Sequence, residues 1–554
     1  MAKKDAGRGK NKNKNKSKGL FGGGRPKPNN QQAKTREFDR LMTQSEGLWE
    51  KGDIAGALEI AEDLVAHHPK DIRPLLFSAM LYSEAGDTRE ALERAEAADQ
   101  MQPNEPVVLS FLAAAYLLNE RIVSSVQTFR RLRSLDRTGE FFVKESRETL
   151  STIEQGLKEE ADQLKVPLAT FEKALLMVEQ GETAVEQEDF DQALGLFQGA
   201  ADTVPGWTLP RLSLSVYQWE AGHAKESLVT AQKLVEDAPN NLSALSQLAT
   251  TLVWSNQTER ARPLLSRVET AFARETAKIG AAEEQEMEEL AGAFYKAASV
   301  FAAIGQDQRV YDILKQGETV KLEYDGAYWR WLAISSYNLG KVEESGSYWQ
   351  KLEPAAISPF DLGLQETIAR PRPADAPPLR LPYFEPVAFM PLAVTQQLLA
   401  LKESQAGADF EFDTELVQMA YSKLSLNYQI LPALAQNITF GLQPVAETNV
   451  GILGEIHNAE VVALLREYVQ SYIGPEMARR YAVAHLVEWG DLARDGTLHF
   501  WIEEPGGWQD LPITSFGSLD EEEQRIVDDV YEFANTEDLD FDEDDDIDED
   551  DEGL

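Results

Sequence analysis

Gly52-Asp53 recurs as Gly86-Asp87, Ala57 as Ala91, Ala61 as Ala95 and Pro69 as Pro103, each at a step of 34 residues. A fixed step of this size marks a unit repeated in space as well as in sequence. Ala57 and Ala61 stand one helical turn apart, so a neighbouring helix can approach them closely. Gly52 breaks the chain ahead of them, and Pro69 follows where it cannot continue a helix. The unit is therefore two helices joined by a turn. Such a pair cannot bury its apolar face alone, so copies stack into one continuous core.

These residues resemble the tetratricopeptide repeat (TPR) family. Repeats are expected at 38–71, 72–105 and 106–139. The third keeps Ala113, Tyr116 and Phe129 but has Glu120 for the usual Gly and Arg137 for the usual Pro. Residues 140–173 fit poorly, with Glu159 and Gln163 at small or aromatic sites. They read either as a degenerate repeat or as one long helix through Glu159-Glu160. The pattern returns at 174–207 (Gly181, Ala193, Phe197), 208–241 (Gly222, Ala231, Pro239) and 242–275 (Ala249, Ala261). A Glu-rich insertion at 276–290 is expected to extend a neighbouring helix. Weaker repeats follow at 291–324 and 326–359, the latter with Trp329, Ala333 and Gly340. The resemblance implies a right-handed superhelical solenoid over residues 37–355.

It also implies that the first helix of each pair lines a groove for a protein segment. That places Arg73, Phe77, Met80, Phe111, Ala114, Arg330, Trp331 and Ile334 at the groove. Some relatives grip a peptide carboxylate with Lys and Asn at such sites. Here the sites are largely apolar, so a hydrophobic or amphipathic segment is the expected ligand. Apolar residues at helical spacing also serve as packing between repeats, and both readings of Phe77, Met80 and Phe111 stay open.

Nine prolines between Pro354 and Pro391 interrupt helix. Residues 356–391 are therefore expected to be a Pro-rich, extended linker to a second module at 392–495. There Val461 to Arg466 opens one helix, and Ala478-Arg479-Arg480-Tyr481-Ala482 to Trp489-Gly490-Asp491 forms another. Close-packing alanines, an arginine near the helix start and a terminal Gly-Asp resemble a HEAT-type repeat. Arg479 and Arg480 fit a ligand contact or, better, a repeat-stabilising role. Thr497-Leu-His-Phe-Trp-Ile502, a Pro-Gly-Gly turn and Trp508 to Ile513 predict a small β-hairpin cap at 496–515. A short helix is expected within 516–536. The fold class is thus all-α: a TPR solenoid, then a smaller HEAT-like helical module with a β-hairpin, flanked by disordered charged tails.

Residues 1–36 hold twelve Lys or Arg and one acid, and residues 537–554 hold thirteen Asp or Glu. Both lack an apolar face and are expected to be disordered. Net charge is −41, which is wrong for a nucleic-acid-binding body; nucleic acid could enter only through the basic arm. The absence of cysteine excludes disulfides, thiol catalysis and thiolate zinc sites. No apolar run approaches the roughly 20 residues of a membrane span, and the basic N-terminus lacks a signal-like apolar core. A cytoplasmic location is expected. The six histidines show no metal spacing, and no nucleophile or phosphate-loop motif is present, so no enzyme, metal or cofactor is expected. The expected function is a non-enzymatic scaffold or adaptor that binds protein segments in a helical-repeat groove. Two alternatives compete: a chaperone-like holder of basic clients, and an RNA- or ribosome-associated factor acting through the Lys-rich arm. The oligomeric state stays open.

Overall fold

The computed structural model describes residues 30–516, apart from 137–138, 278–283, 319–325, 353, 355–356, 375, 377, 392, 398–413 and 505. The acidic tail, the helix expected within 516–536 and most of the basic arm lie outside the described residues. The arm's last residues do not: the first helix begins at Asn30, ahead of the expected boundary at Glu37. The chain divides into two compact units, residues 1–162 and 163–554.

The first unit is built from α1 (Asn30–Trp49), α2 (Ile54–His67), α3 (Ile72–Ala85), α4 (Thr88–Met101), α5 (Pro106–Leu118), α6 (Ile122–Leu135) and α7 (Lys144–Gln163). The recurring Gly-Asp is now explained locally. Gly52 and Gly86 take left-handed φ of 84° and 88° to end a helix. Asp53 and Asp87 then cap the next one, accepting from the backbone N–H of Gly56 and Glu90. Glu120, Glu188 and Asn256 occupy the same left-handed turn without being glycine, at φ 57° to 59°. Each such turn costs about 1 kcal/mol relative to glycine.

Within several pairs the helices meet at small residues. Ala79 and Ala91 are both buried, and Gly181 packs against the Phe197 ring of the partner helix. Serine stands at several crossings and spends its hydroxyl on the partner helix. Ser45 donates to the Ala57 carbonyl at 2.6 Å, Ser125 to Ala113 at 2.8 Å, Ser227 to Ser215 at 2.7 Å and Ser345 to Ala333 at 2.7 Å. All four are buried, and the bonds satisfy groups that burial would otherwise leave costly. At the equivalent crossing of 140–173 the chain has Arg147 and Glu159. Neither permits close approach, so the long-helix reading holds: α7 runs unbroken through Glu159-Glu160.

The second unit continues with α8 (Leu168–Glu186), α9 (Phe190–Thr203), α10 (Thr208–Glu220), α11 (Ala224–Asp237), α12 (Leu242–Trp254), α13 (Thr258–Ala261), α14 (Leu265–Thr276), α15 (Glu284–Ala303), α16 (Asp307–Glu318), α17 (Gly326–Asn338) and α18 (Val342–Trp349). The described part of the 276–290 insertion extends α15 at its N-terminus. Then come α19 (Pro359–Ala369), α20 (Thr414–Leu424), α21 (Ile430–Phe440), α22 (Gln443–Gly454), α23 (Ala459–Val469) and α24 (Glu476–Glu488). The antiparallel strands β1 (Thr497–Ile502) and β2 (Gly507–Pro512) pair with Trp501 opposite Trp508.

The Pro-rich stretch is not a free linker. Its first part forms α19, closed by a capping box between Ser358 and Asp361. Its second part lies against the repeats, with Leu381 and Tyr383 buried in one core, and Met390 in the other. Proline does exclude helix there, as expected. However, Leu379, Leu381, Tyr383, Phe384, Phe389 and Met390 supply the apolar surface that a solvated linker lacks.

At the far end, Phe500 is buried beneath the Arg479 guanidinium, 4.8 Å from ring centroid to cation. Arg479 is fully buried and donates to the carbonyls of Gly474, Ser471 and Trp501 at 3.3, 3.2 and 2.8 Å. It is therefore a structural pin between α24 and the hairpin. Arg480 pairs with Glu476 on its own helix at 2.7 Å. Among the described residues no helix is long and apolar enough to cross a membrane.

Candidate protein-binding faces

First helices of successive pairs present equivalent residues every 34 positions. In the first unit, Thr43, Phe77 and Phe111 are equivalent, as are Glu46, Met80 and Ala114, and Glu50, Glu84 and Leu118. Phe77 is half-buried and meets the Trp49 ring edge-on at 6.3 Å, with Met80 packed in the same cluster. The Trp49 indole donates to Glu84 at 2.6 Å. Phe111 packs partly against Leu75, Leu76, Ala98 and Val108. Ala114 is exposed, and Leu118 is an exposed large apolar residue. Phe77, Met80 and Phe111 are partly buried: each packs between repeats and keeps part of its side chain at the surface. Arg73 is separate. Its guanidinium forks onto Asp71, the cap of its own helix, at 3.0 and 2.6 Å, and lies 4.4 Å from the Phe38 ring centroid. Asp71 is held below the usual carboxylate range by that hydrogen bond from Arg73.

The three candidates on α17 lie elsewhere, in the second unit, and they are covered. Trp331 is 1% exposed and Ile334 is fully buried. The Trp331 ring stacks on Tyr295 at 4.6 Å and meets Phe384 edge-on at 5.2 Å. Arg330 forms an ion pair with Asp361 of α19 at 2.5 Å, with Glu385 3.7 Å away. The cover is the chain's own Pro-rich stretch. Asn338 grips the main chain of Leu381 at both ends, accepting its N–H at 2.7 Å and donating to its carbonyl at 2.9 Å. Asp307 takes Arg380 at 3.1 Å and the Tyr383 hydroxyl at 2.8 Å. The Trp254 ring meets Phe384 at 5.8 Å, and the Trp219 indole donates to the Ala388 carbonyl at 2.9 Å. Sequence reasoning missed Asn338, Asp307, Trp219 and Trp254. Two tryptophans at the ends of α10 and α12 were the available signal, since a solvated helix end does not need them.

Burial pushes the Glu220 carboxyl, next to Trp219, up to about 7. That folded value exceeds the ordinary 4.5, so its stabilising contribution is complete below 4.5 and is lost as pH rises through 7. Glu220→Gln is therefore expected to raise stability by on the order of 2 kcal/mol at about pH 8 and to leave it unchanged near pH 4. Urea midpoints at the two pH values check this.

Three histidines of the second unit have aromatic, acidic or close-packed neighbours. His457 stacks on Trp489 at 4.6 Å, and His499 meets Asp510 at 2.7 Å. His485 packs against Gly454, and burial holds its imidazole below the ordinary value.

Residues 48–115 match the tetratricopeptide repeat family, so the chain carries tetratricopeptide repeats over the stretch where the 34-residue step is clearest. No curated protein matches the chain. Among solved structures, the chain is similar to the TPR2AB domain of yeast Sti1 in its complex with pHSP90. Identity is 17%, coverage is 48% of this chain and 99% of that one, and the TM-score is 0.21. A tetratricopeptide repeat protein from Parabacteroides merdae is 14% identical, with coverage of 54% and 99% and a TM-score of 0.26. The TPR domain of P58(IPK) is 11% identical, with coverage of 82% and 100% and a TM-score of 0.23.

Proposed function

We propose that the chain is a non-catalytic adaptor that captures a protein segment on the first-helix face of its first unit. The observation that carries this is the strip of Phe77, Met80, Phe111, Ala114 and Leu118, which follows the repeat step and reaches the surface. Its chemistry is graded. At the α1 end the equivalent positions are Glu46 and Glu50, followed by Glu84, and all three are exposed. At the α5 end they are Ala114 and Leu118. The matching partner is an amphipathic segment with apolar anchors at one end and Lys or Arg at the other. Aromatic anchors would supply most of its affinity, and the charges would set its direction.

Ala114→Arg tests this reading. The position is exposed, so stability should move by less than about 0.5 kcal/mol. Peptides selected by display against the full chain should be basic and apolar at opposite ends, and their affinity for the variant should fall at least about tenfold, or 1.4 kcal/mol. Selected peptides that bind both chains equally would remove the site from this face. The tail-based alternatives are separated by chains lacking residues 1–29 or 537–554. Binding through a tail disappears with it and weakens steeply with salt, whereas binding on the apolar strip persists.

A further inference from the structure

The stretch from Leu379 to Met390 crosses three first helices in turn, α17, α12 and α10, with no helix or strand hydrogen bonding of its own apart from one short turn at Pro386–Ala388. Much of what holds it reads main chain. Asn338 takes both the N–H and the carbonyl of Leu381. Gln436 donates to the Phe384 carbonyl at 2.6 Å and Trp219 to that of Ala388 at 2.9 Å. Side chains that bond an extended backbone while pockets accept alternate side chains are the physics of peptide capture. Here Leu381 and Tyr383 are buried and Phe384 lies between Trp254 and Trp331, with Pro382 restricting the extended part and Pro386 opening the short turn. The outer edge is looser. Arg380 on Asp307 is half-exposed, and Val387 is exposed.

We propose that the first-helix face of the second unit is a peptide-binding site for short extended segments carrying an aromatic pair between prolines, and that residues 379–390 occupy it as an internal ligand. A partner segment of the same chemistry would have to displace it. An in-chain ligand competes at an effective concentration on the order of millimolar. The unaltered chain should therefore bind such a segment weakly, in proportion to the small fraction of time the stretch is released. This site is independent of the face proposed for the first unit.

The probe is a fluorescein-labelled peptide with the sequence of residues 378–391, read by anisotropy against full-length chains. Tyr383→Ala with Phe384→Ala weakens the internal ligand and leaves the face intact. This variant is expected to bind the peptide at least tenfold more tightly than the unaltered chain, and adding Asn338→Ala should abolish the gain. A folded double variant that binds no better than the unaltered chain overturns the proposal. Should the double variant lose its helical circular dichroism, hydrogen exchange on the unaltered chain decides. The Leu381 N–H exchanging at least tenfold faster than the amides at the centre of α17 supports a releasable stretch. Equal exchange through global opening would make it permanent core and refute the proposal.

Discussion

Trp331→Ala is expected to destabilise the second unit by roughly 3–5 kcal/mol, the usual penalty for emptying a large buried aromatic site. The residue stands at a position that the repeat pattern assigns to a ligand groove. A groove residue would tolerate truncation with little change in stability and a large change in binding. Trp331 instead is 1% exposed, stacked on Tyr295 and enclosed by Tyr383 and Phe384. Truncation therefore removes ring contacts on three sides, and the surrounding helices cannot collapse into the space without leaving their register. The urea midpoint should fall, and protection from hydrogen exchange should be lost first in α15, α17 and the Leu379–Met390 stretch. A midpoint within 1 kcal/mol of the unaltered chain would mean the site is not core.

The same residue shows where sequence reasoning reaches its limit. The 34-residue step located helices, turns and small-residue crossings over most of the repeat array, because these depend on local chemistry: left-handed φ at Gly52 and Gly86, Asp caps, and Ala or Ser at the crossing. It also sets the equivalent positions along the first helices, and the Pro-rich stretch covers one such face at α17. What covers that face is not periodic. Leu381 reaches Asn338 across 43 residues of sequence, and Ala388 reaches Trp219 across 169. Nothing within one repeat encodes such a contact. The prolines of 356–391 exclude α-helix only in the second part of the stretch, since Pro359 stands in the first turn of α19, where proline is tolerated. Absence of helix does not imply exposure, and the interleaved Leu, Tyr, Phe and Met argue for burial. In the first unit, Phe77 and Phe111 were ambiguous for a physical reason: half-buried side chains serve packing and surface together. Alanine substitution at both would mix the two effects, and the exposed Ala114 separates them.

Arg479 carries the second large effect, and its two readings predict opposite results. As a ligand contact, its replacement would leave stability unchanged. As a pin, its removal frees three carbonyls at once, the buried ones of Gly474 and Trp501 and the half-buried one of Ser471, and leaves Glu503 without its partner at 3.5 Å. Burial pulls the guanidinium below its ordinary value, but arginine remains charged at any ordinary pH. Methionine fills much of the volume and removes the cost of burying that charge, which offsets part of the loss. The orphaned carbonyls are not offset, at about 1–3 kcal/mol for each buried group left unsatisfied. The net expectation for Arg479→Met is a loss of roughly 2–4 kcal/mol. Arg479→Lys should lose nearly as much, because one ammonium cannot serve three diverging carbonyls as the planar fork does. The damage should be local first, with β1 and β2 losing exchange protection before α21 and α22, since the Trp501 carbonyl is the only one of the three that lies in the hairpin. A lysine variant as stable as the parent would show that charge alone holds this joint. A methionine variant as stable as the parent would return Arg479 to the ligand reading.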